Sequence, residues 1–406
     1  MNKPENMLFP DDARDIVLNQ IRALPSIAIE LDNAEELFLA RDVVARDDHP
    51  PFPASTMDGY ALSSEDHSPW REITGIQNAG ADSGLEVFAG QTVKIMTGAP
   101  LPTGADAVVQ IEHVEVSDEH IVMPDYAISP GLNIRPIGSD IANGTVVIPA
   151  GTRIGPIELG LIATMGYAVI DVARRPRVAV VSTGDELVDP GSELSPGMIR
   201  DSNRYSLVAA AREAGAEIVH SSRVGDDIEE LKALLSSLEG KIDALITSGG
   251  VSVGDRDVVR MLLGETAEVH FRRVFMKPGK PLTFATSNGL LIFGLPGNPV
   301  SSLVSMELFV RPALLAMQGA ARTLRNTGPV VLASDIKQSD RLEFQRAIVE
   351  IDSSGQLVAR TTGNQISSRL ASLLNANALL IIDAGDGIIP AGTVVQAMLL
   401  DTPGSV

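Results

Sequence analysis

The chain has 406 residues, of which 44% are hydrophobic but only 4% aromatic, and its 32 Lys and Arg against 52 Asp and Glu give a net charge of −20. A surface this acidic excludes non-specific binding to nucleic acid or to an anionic membrane, both of which need basic patches. With no cysteine in the sequence, disulfides, thiolate metal sites and a cysteine nucleophile are excluded as well.

A chain of this length exceeds one ordinary core, and a prior of about 150 residues per domain suggests roughly three domains. The first ten residues hold no apolar signal core, and the longest uncharged apolar run, Leu159 to Ile170, falls short of the ~20 residues a membrane span needs. A cytoplasmic location is therefore expected. Residues 11–24, with Ile16, Val17, Ile21 and Leu24 apolar, read as a helix, and Asn33 to Ala40 reads as another with Asn33 as cap. Further on, Gly144–Ile148 reads as a strand, Pro156–Met165 as a helix and Ala168–Val172 as a strand. Neither piece buries a core alone, so segments 1–50 and 139–174 are expected to pack into one discontinuous N-terminal domain. The region between them, 51–138, has short β-like runs punctuated by glycine and proline and is expected to form a small inserted β domain.

Residues 175–322 alternate strands with amphipathic helices, the pattern of βαβ units and a parallel sheet. Val178–Ser182 runs into Thr183-Gly184-Asp185-Glu186; Ala244–Thr247 ends in Ser248-Gly249-Gly250-Val251-Ser252-Val253-Gly254-Asp255; Leu290–Leu295 ends in Pro296-Gly297-Asn298-Pro299 before a helical run to Leu315. In open α/β sheets the ligand crevice lies beyond the carboxyl ends of the strands, so the three loops should converge. The intervening helices read as a run through Leu207, Val208 and Ala211 that stops at Gly215, and a run from Ile228 to Leu238 capped by Asp226 with Glu229 three residues on. From 323 to 406 the pattern is β again, with strands near Gln345–Asp352, Leu357–Thr361, Ala378–Asp383 and Thr393–Leu399.

The sequence contains no P-loop, no G-x-G-x-x-G, no H-E-x-x-H and no G-x-S-x-G, and its six histidines show no ligand spacing. What remains in the loops is carboxylate, glycine, lysine and proline, a set suited to a hard, oxygen-ligated cation such as Mg²⁺ beside phosphate oxygens. Each element has a bland alternative. Asp185 or Glu186 could cap the next element, Asp226 and Asp255 could be helix caps, and Asp58-Gly59 could be a hairpin turn. The Ser248–Asp255 loop reads as a nest of N–H groups around phosphate or as a plain connection. Lys277-Pro278-Gly279-Lys280-Pro281 offers two ammonium groups on a stiff loop, or a hairpin with solvated lysines.

Taken together these motifs resemble the MoeA/gephyrin E-domain family, the molybdopterin molybdenumtransferases. The residues that carry the resemblance are Met57-Asp58-Gly59-Tyr60-Ala61, Thr97 to Asp106, Asn133-Ile134-Arg135 with Gly138 and Asp140, Ser182 to Glu186, Gly249 to Asp255, Lys277 to Pro281, Pro296 to Ser301 and Arg341 to Arg346. Ser139 and Arg256 depart from the family pattern without removing a motif residue. The resemblance implies insertion of molybdate into adenylylated molybdopterin, giving molybdenum cofactor and AMP with Mg²⁺. It implies a central α/β domain like molybdopterin adenylyltransferase, a β-barrel-like C-terminal domain, and a homodimer whose sites are shared between subunits. Transfer contacts with molybdopterin adenylyltransferase and molybdoenzyme chaperones are implied too. Carried over by residue, Asp58, Thr97, Asp140, Glu186, Asp226 and Asp255 are catalytic, with Glu186, Asp226 and Asp255 as metal ligands. Ser248, Gly249, Gly250, Ser252, Lys277, Lys280, Pro281, Pro296, Gly297, Asn298, Pro299, Arg346 and Ser368 hold the pterin, adenylate or molybdate.

Overall fold

The computed structural model describes residues 7–81, 83–225, 227–249 and 267–401. The clusters of buried side chains among the described residues group into four bodies of structure. The largest surrounds a six-stranded sheet whose order is Glu217–Val224, Arg177–Thr183, Ala244–Ser248, Leu290–Leu295, Thr283–Ser287, Glu268–Phe271. Its first four strands run parallel, as the repeating pattern leads one to expect, whereas Thr283–Ser287 runs antiparallel to both of its neighbours, so the sheet is mixed. The reason lies at Asn288-Gly289, where both residues have positive φ and a two-residue turn reverses the chain between Ser287 and Leu290.

One face of this sheet is covered by Asn203–Glu213 and by the helical rod Pro299–Met317. That rod is long and apolar enough to cross a membrane by composition alone, but it is largely buried within the protein. Its middle turn, Met306–Val310, is a π-helix ahead of Pro312. A proline there cannot donate to the carbonyl of Leu308, and the widened turn absorbs the mismatch. The other face is covered by Ile228–Leu238. Its cap is Asp227, whose carboxylate accepts from the Glu229 N–H at 2.9 Å, one residue later than the capping pattern suggested. Asp226 itself lies outside the described residues.

The first helix, Pro10–Asn19, buries Ala13 and Val17 in the α/β core, away from the segments next to it in sequence. Those segments form a separate small body. Ser26–Glu30 pairs with Val169–Ala173, Val43–Val44 pairs with Val146–Ile148, and Leu37, Leu39, Ile154, Ile162 and Val172 fill the space between. The helix expected over Asn33–Ala40 does not form. A 3₁₀ turn, Leu31–Asn33, gives way to Glu36 at positive φ; Leu37, Phe38 and Leu39 are all buried, with the Leu37 carbonyl accepting from Ile154 N–H, Phe38 bridging to Arg153 and Leu39 to Val172. Three adjacent buried side chains cannot share one helix face, so extended chain wins.

The inserted region is a six-stranded sheet, ordered Ala107–Gln110, Gly59–Leu62, Gln91–Ile95, Trp70–Gln77, His120–Val122, Glu115–Ser117. At the C-terminal end, Leu342–Ile351, Leu357–Thr361, Thr327–Leu332, Val394–Leu399 and Ala378–Ile382 pair in turn, and the last returns to the first, which closes a barrel. Closure leaves no free edge within that ring. Met276–Lys277, from the α/β domain, adds to the Leu342 strand in parallel.

Candidate functional site

The parallel strands of the α/β domain end level with one another. Thr183 pairs with Val224, Ser182 with Ser248, and Ser248 with Leu295, so the loops beginning at Gly184, Gly225, Gly249 and Pro296 leave the sheet side by side. Gly249 has φ +90°, and a Cβ there would stand 2.5 Å from the Thr183 carbonyl oxygen, which permits only glycine at this crossing. Its N–H donates to Leu295 at 3.1 Å. The strand ends are thereby locked together by main chain before any side chain acts.

Asn203 then ties two of the loops. Its amide nitrogen donates to Ser248 Oγ and to the Gly297 carbonyl, each at 2.7 Å. The Ser248 hydroxyl is buried and also lies 3.4 Å from the Pro296 carbonyl. Asp201, two residues earlier and buried, accepts from Ser182 Oγ and from Arg204 Nε at 3.0 Å. Burial lowers the affinity of the Arg204 guanidinium for its proton, but Asp201 and Asp189 outweigh this and raise its pKa. Reading the sequence for loops alone overlooked Asn203 and Asp201; the polar run Asp201-Ser202-Asn203 at a helix start was the available signal.

Glu186 is exposed and folds back over Gly184, with its carboxylate within 3 Å of where a Cβ on that glycine would sit. Asp185 stands as close to Gly225, the residue before Asp226. Oxygen-only donors of this kind suit a hard divalent cation. Gly250, Ser252 and Asp255, expected on the adjoining loop, lie outside the described residues, as does Asp226.

The C-terminal barrel reaches the same rim. Asn298 donates to Ser367 Oγ at 3.1 Å, and the Val300 N–H donates to the Ser367 carbonyl at 3.1 Å, so the Pro296-Gly297-Asn298-Pro299 turn is docked against Ser367, next in the chain to the exposed Ser368. Lys277 pairs with Glu343 at 3.1 Å, and that carboxylate is only 3% exposed. Lys277 therefore belongs to a strand pairing with the barrel, and the hairpin alternative does not hold. Lys280 and Pro281 follow, half-buried, and no ion-pair partner of Lys280 is found among the described residues. Arg346, expected to meet an oxyanion, is fully buried. It donates to Ser372 Oγ at 3.1 Å and to the carbonyls of Asn364 and Ile366 at 3.4 and 3.3 Å. Its visible work is to hold the loop that presents Ser367 and Ser368.

A second group forms in the inserted domain. Asp58 is exposed, and its Oδ1 accepts from Thr97 N at 2.7 Å and Thr97 Oγ1 at 2.9 Å. The N–H and hydroxyl of Thr97, with Lys94 behind them, lower the Asp58 pKa and keep it ionised. Gly59 follows at the start of a central strand, so the hairpin-turn reading fails. A Cβ at Gly59 would lie 2.1 Å from the Val109 carbonyl oxygen, since Gly59 stands opposite Gln110 and Tyr60 opposite Val109 on the next strand. Around Asp58, Ser55 pairs with Ile134 and bonds to Gly98 and Ala99, while Arg135 reaches Asp140 at 3.4 Å. The hydrogen bonds and ion pairs seen for Asp58 and Thr97 stay within this region, and Asp140 joins it to the small body through its N–H on the His49 carbonyl at 3.1 Å. Within one chain, then, they form a group separate from the strand-end loops.

Level, glycine-crossed strand ends with an oxygen-rich rim place the chain in the class of open α/β proteins, whose ligand crevice lies at the carboxyl edge of the sheet. Family models place it more closely: the MoeA N-terminal region (domains I and II) matches residues 9–166, the probable molybdopterin binding domain matches 179–316, and the MoeA C-terminal region (domain IV) matches 329–400. The chain belongs to the MoeA family. Molybdopterin molybdenumtransferase 2 of Mycobacterium tuberculosis is 38% identical over 94% of this chain and 96% of its own length. The molybdopterin molybdenumtransferase of Haemophilus influenzae is 33% identical over 96% and 98%. Gephyrin of Dictyostelium discoideum is 36% identical, and the chain spans 62% of its length. The crystal structure of a molybdopterin biosynthesis MoeA protein from Pyrococcus horikoshii superposes with a TM-score of 0.83 at 26% identity, covering 97% of this chain and all of that one.

Proposed function

We propose that this protein transfers molybdenum: it inserts molybdate into adenylylated molybdopterin and releases AMP, acting as a soluble homodimer. The observation that carries the reading is the rim at Ser248, Gly249 and Pro296–Pro299, pinned by Asn203 and joined to the barrel through Ser367. It places the Ser248 hydroxyl at a strand end, oxygen donors from Glu186 beside it, and two lysines on the adjoining loop. Full-length similarity to proteins named molybdopterin molybdenumtransferase supports the same substrate class.

In this reading Ser248 and Ser252 offer hydroxyls to the substrate phosphates, and Gly249 and Gly250 let the main chain of their loop come close to them. Lys277 and Lys280, with Pro281 stiffening their loop, attract molybdate, which Ser368 also contacts. Glu186, Asp226 and Asp255 would hold Mg²⁺, which when bound offsets negative charge on the phosphoanhydride. Preorganised donors aimed at developing charge supply most of the acceleration, and holding molybdate in line supplies the rest. Asp58, Thr97 and Asp140 come to the rim from the partner subunit. The ionised Asp58 is suited to accept a proton or to position molybdate as AMP departs.

The test is AMP release from adenylylated molybdopterin by purified protein with Mg²⁺, with and without molybdate, beside Asp58→Ala. Molybdate-dependent release that the substitution abolishes is the expected result. Release indifferent to molybdate would overturn it, since that is pyrophosphatase behaviour.

A further inference from the structure

A second cavity lies at the other end of the same sheet. It has a volume of about 620 Å³ and is lined by Arg153, Arg175, Arg212, Arg311, Arg322 and Arg325. Arg175 precedes the Arg177–Thr183 strand by two residues, and Gly215, also on the wall, precedes Glu217–Val224 by two. The cavity is thus at the amino ends of strands whose carboxyl ends carry the rim. A seven-residue strand separates the two by about 20 Å. It also sits on the joint between the small discontinuous body and the α/β domain, where the Ala321 N–H donates to the Gly151 carbonyl at 2.9 Å.

The charges do not balance. Glu36 pairs with Arg153, Arg325 bridges Glu307 at 2.8 Å and Glu213 at 3.3 Å, and Arg311 shares Glu307 at 3.7 Å. Three carboxylates for six guanidinium groups leave an excess of three positive charges in a chain whose net charge is −20. The guanidinium groups of Arg212 and Arg322 have neither hydrogen bond nor ion pair among the described residues, and both residues are exposed. Burial, together with the neighbouring Arg325 and Arg153, lowers the Arg311 pKa in spite of Glu307. Remote acidic charge is screened beyond about 8 Å, so this local excess is what a ligand at the cavity would feel. One wall is apolar, built from Phe38, Leu315 and Ala214, all buried.

The geometry points to a binding site for a small organic molecule bearing at least two phosphate charges, separate from the reaction rim. Guanidinium groups match phosphate oxygens in pairs, and the apolar wall gives the carbon skeleton somewhere to lie. The volume falls within the range of small-molecule sites, roughly 300–1,000 Å³. Because the walls come from both sides of the joint, occupancy would stiffen one domain against the other.

Inorganic pyrophosphate is the probe, titrated calorimetrically into the full-length protein without Mg²⁺. Three forms are compared: unaltered protein, Arg212→Gln/Arg322→Gln, and a charge-matched control, Arg22→Gln/Arg360→Gln, at exposed positions elsewhere. The site predicts a binding step that the cavity substitutions weaken on the order of 100-fold, at about tenfold per charged contact, and that the control shifts by no more than about twofold. The proposal falls if unaltered protein shows no pyrophosphate binding at millimolar concentration, or if the cavity and control variants behave alike. It falls equally if the cavity substitutions change only the mass in sedimentation, which would assign the arginines to a subunit contact. Molybdate-dependent AMP release, measured on the same three forms, reports on the reaction rim separately.

Discussion

The rim of the α/β domain and the Asp58–Thr97 corner of the inserted domain solve the same problem by opposite means. At the rim, position comes from sheet polarity: strand ends in register, a main-chain crossing at Gly249, and one asparagine spanning two loops. At the corner, an exposed carboxylate is held by a single neighbouring residue, and its place depends on how closely two strands approach. The rim is a cradle with several redundant ties, whereas the corner is one charged group on a stiff mount. The difference predicts that damage to the mount should be severe, loss of the charge clean, and loss of one tie mild.

Gly59→Ala tests the mount. A Cβ pressed into the Val109 carbonyl should cost on the order of 3 kcal/mol or more and unfold the inserted sheet, read as a lower melting transition and rapid proteolysis between 51 and 138. Asp58→Asn tests the charge. With the carboxylate exposed, the melting temperature should hold while turnover falls about 100-fold or more, the scale of a lost acid–base group. Unchanged turnover would remove the corner from the reaction. Asn203→Ala tests the tie. Two hydrogen bonds go, but the Gly249 crossing remains, so kcat/KM should fall about tenfold with a stability loss of about 1–2 kcal/mol.

The smallest effect is one of pH. Asp243, 12% exposed, joins Arg174 at 2.6 Å and Arg177 at 3.4 Å where the α/β domain begins. Burial pushes its carboxyl up, but Arg174 and Arg177 more than compensate and hold it at about 2. A carboxylate depressed below its unfolded value of about 3.9 stabilises the fold above that pH and loses the contribution as pH falls toward 2. Asp243→Asn should therefore melt below the unaltered protein at pH 7, by an amount worth about 1–2 kcal/mol. The two melting curves should converge as pH drops from about 5 to about 2; a constant gap would mean that the ion pairs contribute nothing.

Much of this was legible in the chain. Val178–Ser182, Ala244–Thr247 and Leu290–Leu295 announced themselves as apolar β-branched runs cut off by glycine and polar residues, and all are strands of one sheet. Asn288-Gly289 is an equally plain hairpin signal and accounts for the reversed strand Thr283–Ser287 that a purely parallel reading omits. Other features have no local signature. Nothing around Asn33–Ala40 shows that each of Leu37, Phe38 and Leu39 meets a different distant partner. Barrel closure and the Lys277–Glu343 pair depend on contacts between residues far apart in sequence. Arg346 illustrates the limit within the site: its place in a motif marks it as important, but only the fold shows that it grips a loop.

The short pairing of Met276–Lys277 with Leu342–Glu343 bears on modularity. A chain cut between the α/β domain and the barrel would leave Lys277 on an unpaired edge and Glu343 buried with its charge uncompensated. Each half would present a newly exposed backbone edge to other molecules. The barrel is thus a structural annex of the α/β domain, and inheritance, duplication or exchange of one without the other would carry a folding penalty at that seam.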